Sequence, residues 1–249
     1  MEQSVDLLMD EVNDYVHNSK NKPVISSFCP AVTRLIQVRF PSLVDNVLQL
    51  LPPLELCAQF YKRRYVQENG NDEGLGIFYI TPCIGKIAAV KSPVGGYTSP
   101  IHGVINMDYI YNKVLLALKN RVDIVSEPLV KSSLSSKGIL YPTTGGESVN
   151  VDAKCLAVDG LASVIDILER VENEELKGID FLELRVCDES CAGGILLFGN
   201  RFMISDKMKG YAATIPDVHE LVPEYKKYCS AVVHMERVEP RSLVKYEGY

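Results

Sequence analysis

Four of the seven cysteines in this sequence follow segments that are predicted to be β-strands. Cys29 follows PVISS, Cys83 follows LGIFYI, and Cys187 and Cys191 follow IDFLELRV. Helical patterns separate these runs, which predicts an α/β fold with parallel strands. Ligand sites in such folds form at the C-terminal ends of the strands, so the four thiols can meet although they are far apart along the chain.

Four thiolates at one point repel one another unless a cation or a metal cluster offsets their charge. Structural zinc sites mostly use local cysteine pairs, and only Cys187 and Cys191 form such a pair here. An iron–sulfur cubane accepts dispersed ligands, because each iron takes one thiolate. Unrelated buried thiols are the third interpretation, and the residue pattern alone leaves all three open.

The two glycines after Cys191 and the three remaining cysteines are interpreted from the properties of their residue types. The paired Gly193 and Gly194 would let the backbone approach a cluster and donate N–H groups to its sulfides. Cys57, Cys155 and Cys229 lie within predicted helices or late in the chain, and we interpret them as buried structural thiols.

The coarse pattern alternates strands with helices. LGIFYI is predicted to be a buried strand, and GILY, 138–141, is a further candidate strand. Helices are predicted over 5–18, after Pro30, over 54–67, after the N-cap residue Asn106, and from about Asp152 to Glu172.

The composition narrows the class of protein. The 249 residues are 47% apolar and 23% charged, as in ordinary globular proteins, and form one predicted domain, 1–249. A net charge of -6 argues against nucleic acid as a partner. The acidic N-terminus does not resemble a signal peptide, and no apolar run is long enough to span a membrane. We therefore expect a cytoplasmic protein with reduced thiols.

Three segments together resemble a known family. SSFCPAVTRLIQVRFPSL, GIFYITPCIGKIAAV and LELRVCDESCAGGI are similar, in this order, to the three cysteine motifs in the C-terminal (H-cluster) domain of the [FeFe] (iron-only) hydrogenase large subunit. YPTTGGES resembles the glycine-rich segment between the second and third motifs. The resemblance runs from about Pro23 to about Lys209 and is greatest to a non-catalytic or sensory hydrogenase-like subgroup, often fused to ferredoxin-type and PAS modules.

The resemblance implies a two-lobed α/β domain with parallel sheets flanked by helices and a cluster site between the lobes. It also implies that this chain is shortened at the N-terminus, and it leaves the lobe boundary undetermined. Carried over by position, Cys29, Cys83, Cys187 and Cys191 become the ligands of a [4Fe–4S] cluster. In the enzymes the last of these also bridges to a diiron subcluster.

Further residues carry over from the motifs. Lys86 matches a lysine that hydrogen-bonds a cyanide of the diiron unit. Thr144 and Gly145 are expected to line the same cavity, and Gly193 and Gly194 to border the cluster.

The chain departs from the family at the positions that move protons. Phe28 stands where the enzymes have a cysteine, and Ala89 stands where they have a relay acid. Thr81 replaces a methionine, and Asp188-Glu189-Ser190 replaces the usual Pro-Gly-Gly between the last two ligands. Since one general acid or base contributes about 10²–10⁴ in rate, hydrogen turnover is expected to be slow.

The sequence therefore leads to one expected function and two alternatives. We expect a cytoplasmic [4Fe–4S] protein that acts in electron transfer or in redox or gas sensing. Its partner would be a ferredoxin-type electron carrier or a fused ferredoxin or PAS module, with no nucleic acid and no membrane. The first alternative is a slow iron-only hydrogenase whose diiron unit is bridged through Cys191. The second is a metal-free interaction module.

Overall fold

The computed structural model describes residues 2–95, 97–120, 135–215, 227–228, 231 and 233–241. Its helices are α1 (Glu2–Asn18), α2 (Pro30–Arg39), α3 (Pro53–Asn69), α4 (Ile84–Lys91), α5 (Met107–Lys119), α6 (Ser136–Leu140), α7 (Leu161–Glu172) and α8 (Arg201–Ala212). Its strands are β1 (Val24–Ile25), β2 (Phe78–Thr81), β3 (Gly103–Asn106), β4 (Cys155–Asp159) and β5 (Phe181–Arg185).

The first sheet has the order β1-β5-β4, and all its strands are parallel. The central strand β5 is buried at every position, although it contains Glu183 and Arg185. Central strands of parallel sheets are covered on both faces, which explains why this segment is mostly apolar.

Two apolar clusters cover the two faces of this sheet. Val24 and Phe181 pack with the apolar side chains of α1, whereas Leu182 and Leu184 lie on the opposite face. There they pack against α2 and α7, whose buried side chains include Val32, Ile36, Val164 and Leu168. Alternation along a strand sends successive side chains to opposite faces, so β5 joins both clusters.

The second sheet consists of β2 and β3, which are parallel from Phe78 opposite Gly103 to Thr81 opposite Asn106. The prediction that LGIFYI, 75–80, is a buried strand was wrong, because none of its residues is buried. Phe78 is 62% exposed, whereas Thr81 is buried. Two parallel sheets flanked by helices match the predicted architecture.

Several predicted elements are confirmed, namely the helices over 5–18, after Pro30 and over 54–67. Asn106 caps α5 as expected, because its side chain accepts the backbone N–H of Asp108. The strand β3 that precedes it was not predicted. Among the described residues, no helix is long and apolar enough to cross a membrane.

Two other predictions were wrong. GILY lies mainly in α6, because the Ser135 hydroxyl accepts the N–H of Gly138 and begins a helix. The predicted helix from about Asp152 contains strand β4 before α7 starts. Gly160, with φ of 81°, separates the two elements, and pairing with β5 holds β4 extended.

Candidate metal centre

Cys29 and Cys83 occupy the same local position in two different parts of the fold. Each follows a strand closely and is the N-cap residue of the next helix, Cys29 before α2 and Cys83 before α4. The positive end of a helix dipole stabilises a nearby thiolate. Thr81 supports this geometry at Cys83, because its hydroxyl accepts the Cys83 backbone N–H at 3.1 Å.

Cys187 and Cys191 lie beyond the C-terminal end of β5. Cys191 belongs to a short 3-10 helix, Ser190–Gly193, and both thiols are partly exposed. Glu189 and Ser190, between them, have positive φ angles of 61° and 56°. Residues with a side chain disfavour this region of backbone conformation, so the turn is held in a strained conformation.

Close backbone approaches join the cysteine segments. A Cβ atom on Gly85 would lie 3.4 Å from Cγ of Pro30 and 3.6 Å from Sγ of Cys83, which brings the start of α4 against the start of α2. A Cβ on Gly194 would lie only 2.6 Å from the carbonyl oxygen of Pro82. Thus the loop after Cys191 packs directly against the residue before Cys83.

The electrostatics indicate that the four thiols share one neighbourhood. Burial raises the pKa of Cys187 to about 11, and the charges of Cys83, Cys191 and Cys29 add to this effect. Burial also raises the pKa of Cys83, against the opposing effect of Lys86. Because the influence of one charge on another falls with distance, these groups lie close together.

Lys86 projects into this neighbourhood from α4. Burial by itself would lower its pKa, but Cys191, Tyr79 and Cys83 together raise it above the usual value. An ammonium group beside several thiols offsets part of their mutual repulsion. The sequence interpretation of Lys86 as a residue of the cysteine site is consistent with this position.

A mostly apolar cavity of about 350 Å³ adjoins the cysteines. Cys83, Lys86 and Cys191 lie on its wall together with Tyr141 and Pro142 of the glycine-rich segment. The larger apolar side chains of its wall include Phe28, Met107, Leu197, Ile204 and Met208.

Thr144 and Gly145, which were expected to line this cavity, do not line it. Thr144 is exposed. Its hydroxyl donates a hydrogen bond to the Asp159 carboxylate and lies 3.2 Å from the Ser190 hydroxyl. Gly145 has a φ of 81°, which suits glycine in this turn.

Gly193 and Gly194 have a packing role that the sequence did not indicate. A Cβ on Gly193 would lie 1.8 Å from the carbonyl oxygen of Asp188, so only glycine fits. The N–H of Gly194 donates to the carbonyl of Cys191 at 3.1 Å. Their contact with a bound cluster stays a prediction.

A buried charged group beside the cysteines was missed by sequence reasoning. Arg185 donates to Glu147 at 2.7 Å, and Ser26 donates to the same carboxylate at 2.8 Å. Glu183 accepts the backbone N–H of Ser148 at 2.8 Å. Burial and Glu183 raise the pKa of Glu147 against the influence of Arg185. The sequence signal for this group was Arg185, a charged residue at the end of the predicted strand IDFLELRV.

The chemistry of the cysteine site fits an iron–sulfur cluster. Four cysteines from two sheets, two of them at helix N-termini, surround one region together with a lysine. Among the described residues, no three His, Cys, Asp or Glu side chains are placed to hold a single metal ion. A cubane differs from a single ion because its four thiolates bind four separate irons.

The remaining cysteines lie elsewhere or outside the described residues. Cys57 is in α3 and Cys155 begins β4, and both are partly buried free thiols. The placement of Cys155 in a helix was therefore wrong. Cys229 lies outside the described residues.

Comparisons with known proteins identify a related family. Residues 2–99 match the family model described as the iron only hydrogenase large subunit, C-terminal domain. No curated protein sequence matches the chain.

Solved structures of [FeFe]-hydrogenases have a similar fold. One, from a study of oxygen inactivation through degradation of the 2Fe subcluster, has a TM-score of 0.66 at 12% identity and covers 96% of this chain and 82% of that chain. A second, from work on stepwise H-cluster assembly, has a TM-score of 0.66 at 12% identity, with 96% and 81% covered. An apo [FeFe]-hydrogenase from Chlamydomonas reinhardtii has a TM-score of 0.63 at 12% identity, with 96% and 81% covered.

The similarity in sequence covers the first two cysteine motifs, and the similarity in structure extends over nearly the whole chain. This protein therefore has the fold of the [FeFe]-hydrogenases and is related in sequence, over residues 2–99, to the C-terminal domain of the iron-only hydrogenase large subunit.

Proposed function

We propose that this protein binds a [4Fe–4S] cluster through Cys29, Cys83, Cys187 and Cys191 and acts in electron transfer or in redox or gas sensing. The observation that carries the proposal is the convergence of these four thiols from two separate sheets. A cluster bound there would supply one-electron redox chemistry. The protein's own contribution is to hold the thiolates together and to offset their charge through Lys86.

The residues beside the thiols favour electron transfer or sensing over rapid hydrogen turnover. Phe28 and Ala89 occupy the positions of the two proton relays in the related enzymes, and neither side chain can carry a proton. Phe28 is 3% exposed and packs in the core. Membership of the non-catalytic or sensory subgroup is part of this proposal.

An electron carrier needs a docking surface near the cluster. Three exposed apolar side chains lie close to the cysteines in sequence: Ile84 is 56% exposed, Ile195 is 68% exposed and Phe198 is 87% exposed. Contiguous exposed apolar patches mark protein interaction sites. They support a ferredoxin-type carrier, or a fused ferredoxin or PAS module, as the partner.

A cytoplasmic location suits the thiol chemistry. All six cysteines within the described residues are free. Thiols stay reduced in the cytoplasm and remain available as ligands there.

The decisive measurement is the iron and acid-labile sulfide content of anaerobically purified protein. We expect about four of each per chain. Cys29→Ser and Cys191→Ser should lower both values and the melting temperature, because a cluster that binds only the folded state stabilises it. Cys57→Ser, in α3, is the matched control and should retain both elements.

The cavity beside Cys191 and Lys86 supports the second candidate, a slow iron-only hydrogenase with a diiron unit. At about 350 Å³ it has room for a small metal complex. Iron clearly in excess of sulfide would favour this candidate over a bare cubane. A preparation that contains neither element would contradict both and favour the metal-free interaction module.

A further inference from the structure

A buried carboxyl group lies on the wall of a second, smaller cavity. Glu55, in the first turn of α3, is only 3% exposed. A glutamate at this helical position commonly accepts the backbone N–H of the N-cap residue. Here the N-cap residue is Pro52, which has no N–H. The helix start therefore does not explain why Glu55 is buried.

The hydrogen bonding of Glu55 is incomplete. Its Oε1 accepts the Ser99 hydroxyl at 3.0 Å. Its Oε2 is buried and accepts no hydrogen bond from any described residue. Burial of a carboxylate without a paired cation favours the protonated form. The Glu55 carboxyl is thus placed to gain and lose a proton.

A small cavity of about 40 Å³ lies beside this carboxyl. A buried water needs about 10–15 Å³, so the cavity has room for water. Phe28 and Lys86 lie on its wall and also on the wall of the larger cavity that contains Cys83 and Cys191. Glu55 is therefore separated from the cysteine cavity by a shared layer of side chains.

Ser99 gives this carboxyl a route to solvent. It lies on the wall of an open surface groove together with Thr98 and Gln59 of α3. Its hydroxyl also donates to Glu55. A proton can therefore reach Glu55 from the groove without crossing the cysteine cavity.

We propose that Glu55 takes up a proton when the metal group held by the four cysteines takes up an electron. This inference rests on the proposed function. The electron comes from a reduced ferredoxin-type carrier, or from dithionite in the laboratory, and the proton comes from solvent through Ser99. The proton binds to the Glu55 carboxylate, so the charge of the protein interior stays the same.

Among the described residues on the wall of the small cavity, Glu55 is the group that changes protonation near neutral pH. Burial raises its pKa to about 7, against the opposing effect of the Ser99 hydrogen bond. Tyr97 and Lys86 are the other titratable groups on the wall. Burial, with Glu55, raises the pKa of Tyr97, and the pKa of Lys86 is also raised, so neither changes protonation near neutral pH.

The test measures the reduction potential of the anaerobically purified full chain between about pH 4 and pH 9, a range that spans the ordinary and the raised carboxyl pKa. We expect the wild-type potential to fall by about 59 mV per pH unit near neutrality, the equivalent of one proton per electron. Glu55→Gln should abolish this dependence, whereas Glu55→Asp should retain it. Glu236→Gln, at an exposed position, is the matched control and should behave like the wild type.

Ser99→Ala provides a second test, because it should shift the pH range in which the reduction potential depends on pH. Loss of the hydroxyl removes a hydrogen bond that favours the ionised carboxylate, so the pH-dependent range should move upward. A purely structural role of Glu55 would not produce this shift.

The possible outcomes separate this inference from the proposed function. Iron and sulfide with a pH-independent potential, or with an unchanged slope in Glu55→Gln, would overturn only the role of Glu55. Absence of both elements would overturn the two proposals together. Infrared spectra add a test that needs no metal: a C=O band of protonated Glu55, missing from Glu55→Gln, should disappear as the pH rises through neutrality. Failure to find this band would overturn the role of Glu55 alone.

Discussion

Arg185, two residues before Cys187 in the chain, forms a buried ion pair with Glu147, with Nη2 and Oε2 2.7 Å apart. Glu183 lies in the same buried group, so two carboxyl groups share one guanidinium. Removal of one partner from a buried pair leaves an uncompensated charge, whereas removal of both is tolerated better.

We expect Arg185→Met to lower the free energy of unfolding by about 3–5 kcal/mol at neutral pH, as measured by urea denaturation. The double variant Arg185→Met with Glu147→Gln should recover part of this loss. Arg170→Met, which breaks an exposed pair with Asp166, is the control and should leave the stability unchanged. Equal losses in the single and double variants would contradict a role for charge compensation.

The strained turn between Cys187 and Cys191 leads to a second prediction. Glu189 has a φ of 61°, which costs a side-chain-bearing residue about 1–2 kcal/mol relative to right-handed backbone. Glu189→Gly should therefore raise the melting temperature. Glu174, with a φ of 57° just after the end of α7, offers a matched control, and Glu174→Gly should have a similar effect. A lower melting temperature for Glu189→Gly would show that the side chain contributes more than the strain costs.

The close packing of Gly194 against Pro82 predicts a specific loss of metal binding. A methyl group on Gly194 would meet the Pro82 carbonyl at 2.6 Å and push the Cys191 segment away from Cys83. We expect Gly194→Ala to lower the iron content of anaerobically purified protein. Gly210→Ala, in α8 with nothing within 4 Å, should retain iron and gain up to about 1 kcal/mol of stability. Full iron content in Gly194→Ala would contradict the close packing.

The raised pKa of Glu55 predicts the pH dependence of folding. Its pKa is about 7 in the folded protein, whereas the ordinary value of a solvated glutamate is 4.5, so the folded state binds the proton more tightly. The resulting stability is fully present below about pH 4.5 and is lost as the pH rises towards about 7, by up to about 3 kcal/mol. Glu55→Gln should lack this loss. Urea denaturation at several pH values measures the difference, and parallel pH profiles for both proteins would disprove it.

Lys86 distinguishes the two candidate metal groups. If a diiron unit is present, Lys86→Met should remove the iron in excess of sulfide and leave the cubane, because the lysine faces Cys191 and the adjoining cavity. Lys91→Met, at the exposed end of the same helix, is the control and should retain all iron. Identical iron content in the two variants would contradict this role of Lys86.

The sequence by itself determined the local structure of the cysteine site. Cys29 was placed correctly between strand and helix, and Cys83 was placed correctly after a strand, because proline and strand propensity act over a few residues. The helix α4 that follows Cys83 was not predicted. The α/β class followed from the same local periodicity. The order of the motifs was sufficient to suggest the related family, which the fold comparison supports.

Only the tertiary structure decided which side chains meet. The pairing of β4 with β5 overrode a helical pattern that included Cys155, and sheet pairing depends on residues far apart in sequence. The partnership of Arg185 with Glu147, the shared wall of Phe28 and Lys86, and the contact of Gly194 with Pro82 likewise join distant segments. Burial and charge compensation arise from such long-range packing, so no local pattern could indicate that Glu55 would lie beside the cysteine cavity.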